Sequence, residues 1–221
     1  MIFDVDAVGD VVLVRWRDAE NRYHRASIDA WHGLLDDLDR RDDRFALVVC
    51  GDGRFFSNGL DLDWMTANPD EAGPLVTDVH RLFGRLILQG CYTVAAINGH
   101  AFAGGAMLTC CFDARVMRTD RGYWCLPEVD LGLPLTVPMQ SIVSARLPRV
   151  TAHDAMMTGR RFTAEEALAG GIVDHTAPEP DVLPRAIELA TAMASKDRTV
   201  IAAHKQLLYG ITAAVCGWPP D

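Results

Sequence analysis

Two stretches, LVVCGDGRFFSNGLDL (residues 47–62) and VAAINGHAFAGGAML (residues 94–108), decide the fold. Each opens as a continuous apolar run, turns at glycine, passes an aromatic residue and further glycine, and enters a second apolar segment. Runs of this kind, ended by Gly-Asp-Gly or Asn-Gly, suit strands buried on both faces. A glycine turn between strand and helix lets the backbone approach a neighbour or a ligand closely, because no Cβ stands in the way. Either turn alone is a tight connection and nothing more. Two together suggest one structural job done twice, with N–H groups that lack helical partners converging on one acceptor.

Strands are expected at residues 2–5, 11–16, 45–50, 93–97 and 114–117. Ser27 is placed as the cap of a helix in which Ile28, Trp31, Leu34, Leu35 and Leu38 recur at helical spacing. A polar loop with Pro69 and Pro74 precedes a second amphipathic helix that ends near Leu88, and a short helix starts at about Gly105. Beyond Pro134 the pattern is helical, with breaks near Pro148, Gly159 and Gly170-Gly171, and final helices over 180–194 and 199–211. Strands early and helices late argue an α/β chain: a core over 1–180 and a helical region over 181–221.

The formal charge of −9 opposes broad binding to a phosphate backbone, so no nucleic-acid partner is expected. No apolar run approaches the roughly 20 residues of a membrane span. The start, MIFDVDAVGD, has no basic segment ahead of an apolar one, and GWPPD is no peroxisomal address. Six cysteines without a C-x-x-C pair read as reduced core residues, with no zinc site and a cytoplasmic location. There is no Walker A, no dinucleotide glycine motif and no G-x-S-x-G, so no nucleotide cofactor or serine-hydrolase chemistry is implied.

RFFSNGLDLDWM and INGHAFAGGAML resemble the two oxyanion loops of the enoyl-CoA hydratase/isomerase (crotonase) family. The likeness continues through CFDARVM, LPEVDLGLPL and MTGRRFTAEEALAGGIVD to the helix with Lys205, and covers most of the chain. It implies a crotonase fold, a spiral of ββα units with a helical C-terminal region. It implies an acyl-CoA thioester as substrate, with CoA carried by the substrate and no separate cofactor, and a trimer or a pair of trimers. By the same resemblance the backbone N–H groups of Leu60 and Gly104 hold the thioester oxygen. Ser57, Asn58, Gly59 and Asp61 line the pantetheine and adenine end, and Lys205 is a further CoA-binding residue. Arg22, Arg25 and Arg54 are candidates for the phosphates.

Glu128 is a charge among Leu126, Val129, Leu131 and Leu133. A carboxylate in apolar surroundings has a raised pKa, which suits one that takes up and returns a proton. In the family the glutamate at this position is the catalytic acid/base. Hydratases carry a second glutamate one turn into the helix after the second loop, where this chain has Met107. One carboxylate suffices to move a double bond, so the resemblance is to 3-enoyl-CoA to trans-2-enoyl-CoA isomerases. Another family activity such as hydration, or a non-catalytic acyl-CoA-binding paralogue, is the alternative. The aspartates of dienoyl-CoA isomerases would fall at Met107 and about Thr136. Asp130, in an extended segment, would face away from Glu128. His100 reads as a satisfied turn residue and His80 as a surface or half-buried one.

Overall fold

The computed structural model describes residues 2–219. The chain enters through β1 (Phe3–Val8) and β2 (Val11–Trp16), then the two-residue β3 (Arg22–Tyr23) and helix α1 (Arg25–Asp39). A first turn of a spiral runs β4 (Ala46–Gly51), β5 (Phe55–Ser57), β6 (Gly59–Leu60), α2 (Leu62–Ala67) and α3 (Pro69–Ile87). The second runs β7 (Tyr92–Ile97), β8 (His100–Phe102) and α4 (Gly104–Thr109), and the third β9 (Ala114–Arg118), β10 (Trp124–Cys125) and α5 (Glu128–Leu131). Helices α6 (Val137–Arg146), α7 (Arg149–Thr158) and α8 (Ala164–Ala169) lead to β11 (His175–Ala177), followed by α9 (Glu179–Ala194) and α10 (Arg198–Val215).

Each turn gives one strand to a large sheet and one to a small sheet, then a helix. The large sheet has the order β1-β2-β4-β7-β9-β11 and the small one β10-β8-β5. All pairs are parallel except β1 with β2. The two quoted stretches are the first and second turns of this spiral, which is why they look alike.

Parallel strands need cover on both faces, and they have it. Leu47, Val49, Ala95 and Ile97 point into the main core with Trp16, Trp31 and Phe83. Val48, Val94, Ala96 and Val116 point the other way, onto Val182, Ala186, Ala190 and Ala194 of α9. Spacing of four along α9 puts these small residues on one stripe, so the helix can lie close to the sheet. Helix α10 packs instead on α3 and α6. Its outer stripe is bare: Leu207 is 85% exposed and Ile211 85%.

Three boundaries differ from the sequence reading. The N-cap of α1 is His24, while Ser27 sits at N3 and closes a capping box by accepting from the His24 N–H at 2.9 Å. Pro69 and Pro74 lie inside α3 rather than in a loop before it. Pro69 occupies the first turn, where its missing N–H has no partner to lose, and Pro74 is on the exposed face. The segment around Glu128 is a helical turn, not an extended one.

Candidate active site

The turns ending β5 and β8 meet at a pocket of about 530 Å³. Leu60, Gly104 and Glu128 all line it. Strand β6 pairs in parallel with β3, and the Asp61 N–H donates to Tyr23 O at 3.0 Å. Alternation along the strand therefore aims the Leu60 N–H out of that ladder. Gly104 is the first residue of α4, so its N–H has no acceptor within the helix. The two turns touch: a Cβ on Gly59 would stand 2.9 Å from Gly104 N, and Gly59 has φ of +77°. Both facts require glycine there.

Ala103, just before Gly104, is held at φ 52° and ψ −126°, a conformation that costs a residue with a Cβ about 1–3 kcal/mol. Behind Gly104 stands Tyr23, wholly buried, whose hydroxyl donates to Gly104 O at 3.2 Å. Burial raises the Tyr23 pKa well above its ordinary value, so the hydroxyl stays a donor. Tyr23 thus holds Gly104 by its carbonyl, on the far side of the Cα from the N–H that heads α4. Nothing local in the sequence marks it, because its partner is 81 residues away.

Glu128 begins α5, behind the half-buried Pro127. Its Oε2 is buried and has no hydrogen-bond partner among the described residues. Burial pushes its pKa from an ordinary 4.5 up to about 7, opposed only by a hydrogen bond to its own backbone. Of the four apolar neighbours read in the sequence, Leu131 and Leu133 stand with Glu128 in the pocket wall and Leu126 is buried two residues before it, while Val129 is outside the wall. The wall also carries Leu62, Met65, Val76, Phe102 and Met139. Its other carboxylate, Asp63, is 96% exposed with Arg22 Nη1 3.6 Å away, and so belongs to the mouth.

Several expected positions lie elsewhere. Of the first-loop set only Asn58 joins Leu60 in the wall, with its Nδ2 tied to Glu20 at 2.8 Å. Ser57 is wholly buried; its Oγ donates to Asn21 O at 2.7 Å and accepts from the Gly59 N–H, so it shapes the turn. Asp61 caps α2 by accepting from the Trp64 N–H at 3.0 Å. Lys205 does not reach the pocket within this chain. It is 4% exposed, donates to Cys91 O at 2.9 Å and pairs with Asp113 at 2.7 Å.

Met107 is wholly buried in the core and not in the wall, contrary to a position facing the ligand. Asp130 lies against Gly159 at the end of α7. His100 packs against Phe55 and Phe102 and accepts from the Tyr123 N–H at 3.3 Å. Arg25 pairs with Asp29 and Asp78. Thr136, which the sequence reading set aside as merely non-acidic, lines the pocket and meets His80 Nε2 at 2.9 Å.

Comparison with known proteins agrees with this architecture. The profile of the enoyl-CoA hydratase/isomerase family matches residues 11–212. Enoyl-CoA delta isomerase 2, peroxisomal, of Arabidopsis thaliana is 30% identical over 95% of this chain and 92% of its own. A putative enoyl-CoA hydratase of Thermus thermophilus is 34% identical over 92% of this chain and 82% of its own. The apo structure of an enoyl-CoA isomerase of Mycobacterium tuberculosis superposes with a TM-score of 0.88 at 28% identity, over 97% of this chain and 94% of that one. The expected crotonase fold is therefore the fold observed, and the chain belongs to the enoyl-CoA hydratase/isomerase family.

Proposed function

We propose that the chain is an enoyl-CoA delta isomerase that moves the double bond of a 3-enoyl-CoA to the trans-2 position. The observation that carries this is the carboxylate count: of the two carboxylates in the pocket wall among the described residues, Glu128 holds a buried oxygen and Asp63 is 96% exposed at the mouth. Glu128 as carboxylate takes a proton from C2 of the thioester. The electron pair moves onto the thioester oxygen and across C2 to C4, giving a dienolate. The N–H groups of Leu60 and Gly104 hold that oxygen, a service worth roughly 10²–10³ in rate per donor elsewhere. Protonated Glu128 then returns the proton at C4, and the double bond is left at C2–C3.

A pKa near pH 7 suits a group that must act in both directions. Addition of water asks more, because a water must be both placed and deprotonated, and one carboxylate does not do both well. The test sets 3-hexenoyl-CoA beside trans-2-hexenoyl-CoA. Conjugation should appear with the first, and its loss by hydration should be far slower with the second. Hydration at the faster rate would overturn the isomerase reading.

The bare stripe on α10 favours assembly. We propose that Leu207, Leu208 and Ile211 are covered by other copies in a trimer or hexamer, which light scattering on the purified chain tests directly.

A further inference from the structure

Besides Asn58, which is tied to Glu20 at the first turn, the pocket wall carries a second neutral polar side chain with a partner behind it, Thr136. Thr136 caps α6, accepting from the Met139 N–H at 3.4 Å, and its Oγ1 lies 2.9 Å from His80 Nε2 on α3. A threonine hydroxyl has one proton and two lone pairs. Met139 takes one lone pair. His80 takes either the proton or the second lone pair, according to its tautomer. In both cases one hydrogen-bonding position of Thr136 remains, and Thr136 is in the pocket wall. With the imidazole as acceptor the spare position is a lone pair; with it as donor, the spare position is the hydroxyl proton.

Burial lowers the His80 pKa, which favours the neutral ring, and a neutral imidazole has two tautomers. An unbranched alkyl chain lying over this hydroxyl would leave the spare position without a partner, at a cost comparable to a lost hydrogen bond. A group that both donates and accepts answers either tautomer.

We propose that the Thr136–His80 pair recognises a hydroxyl on the acyl chain, so that the preferred thioesters carry an oxygen substituent along an otherwise apolar chain. This rests on the pocket being the acyl site of the proposed isomerase, and it names the substrate class of that site. His80 is a positioning residue in it: it sets which way the Thr136 hydroxyl points. A cap-only role for Thr136, with His80 merely satisfied, makes no distinction between acyl chains.

The experiment is calorimetric binding of saturated thioesters to the intact protein: hexanoyl-CoA against its 4-, 5- and 6-hydroxy derivatives. These contain no double bond to move, so binding is read whatever reaction the protein catalyses. One hydroxy isomer should bind about tenfold tighter than hexanoyl-CoA, the scale of one well-made buried hydrogen bond. Thr136→Val should abolish that ratio and Thr136→Ser, which keeps cap and hydroxyl, should restore it. His80→Phe leaves the α6 cap in place and should also reduce the ratio, which guards against Thr136→Val simply failing to fold. Equal affinity for all four ligands would overturn the proposal, as would a preference that survives both Thr136→Val and His80→Phe. Failure of 3-hexenoyl-CoA to isomerise while the hydroxy preference stands would remove the reaction and keep the substrate class.

Discussion

Glu128→Gln separates two properties of one residue, its chemistry and the cost of burying it. Ordinary glutamate titrates at 4.5, and here burial moves it to about 7. Below 4.5 the side chain is protonated in folded and unfolded chains alike, and the penalty is absent. Between 4.5 and about 7 the folded chain holds the extra proton, so stability falls as pH rises; above about 7 the loss is complete. A rise of this size corresponds to ~3 kcal/mol, and partial solvent access to the carboxyl brings the expected value to about 2. Glutamine lacks the titration.

The difference in unfolding free energy between variant and wild type should therefore grow in the variant's favour by about 2 kcal/mol from pH 4.5 to pH 8. Urea unfolding of both proteins across that range measures it, and all other titrations cancel if they are unchanged. In the same preparations isomerisation should fall by roughly 10²–10⁴, the usual range for loss of a general acid/base. A difference that stays flat with pH would refute the burial argument. A stabilised but active variant would refute the role of Glu128 as the base.

The wild-type kcat/KM for 3-hexenoyl-CoA should rise with pH through about 7, because the carboxylate is the form that removes the C2 proton; a profile flat from pH 5 to 8 contradicts this. Gly59→Ala puts a Cβ 2.9 Å from Gly104 N on a left-handed backbone, so it should part the two turns and slow turnover by about 10² while leaving circular dichroism native. Lys205→Met strands Asp113 beside the core and should cost about 3–5 kcal/mol in urea unfolding. Acyl-CoA affinity of its folded fraction should be unchanged, and a selective loss of CoA binding would return Lys205 to the ligand. Met107→Glu places a carboxylate where no solvent reaches, and should lower the thermal midpoint steeply rather than confer hydration.

The strands of the large sheet were legible because parallel strands covered on both faces are near-continuous apolar runs, as 46–50 and 94–97 are. The likeness of the two glycine turns pointed to converging N–H groups, the family resemblance assigned them to Leu60 and Gly104, and a charge in an apolar stretch drew attention to Glu128; all three line one pocket. What stayed hidden depends on contacts between distant residues. Tyr23 beneath Gly104, and His80 behind Thr136 across 56 residues, leave no local trace. Ser57 and Lys205 were misplaced for a related reason: a polar residue near a ligand loop and one satisfied inside the core read the same in sequence. Pro74 misled because, past the first turn of α3, a proline forfeits an i→i−4 bond and ordinarily breaks a helix, and here the packing of Leu75, Val79 and Leu82 carries the helix through it.

The buried tie of α10 also bears on how the protein is made. Lys205 reaches back 114 residues to Cys91 O, and Arg146 joins Tyr209 of the same helix to Phe112 O, just beyond α4. The segments that flank α4 therefore acquire their last polar partners only when residues 205 and 209 have left the ribosome. Until then Asp113 lacks its Lys205 partner, and the strand edge at β9 must wait for β11 as well. Contacts of such long separation form late. A nascent chain halted short of α10 would hold every residue of the pocket and still lack the partners of Asp113 and Arg146 just beyond α4.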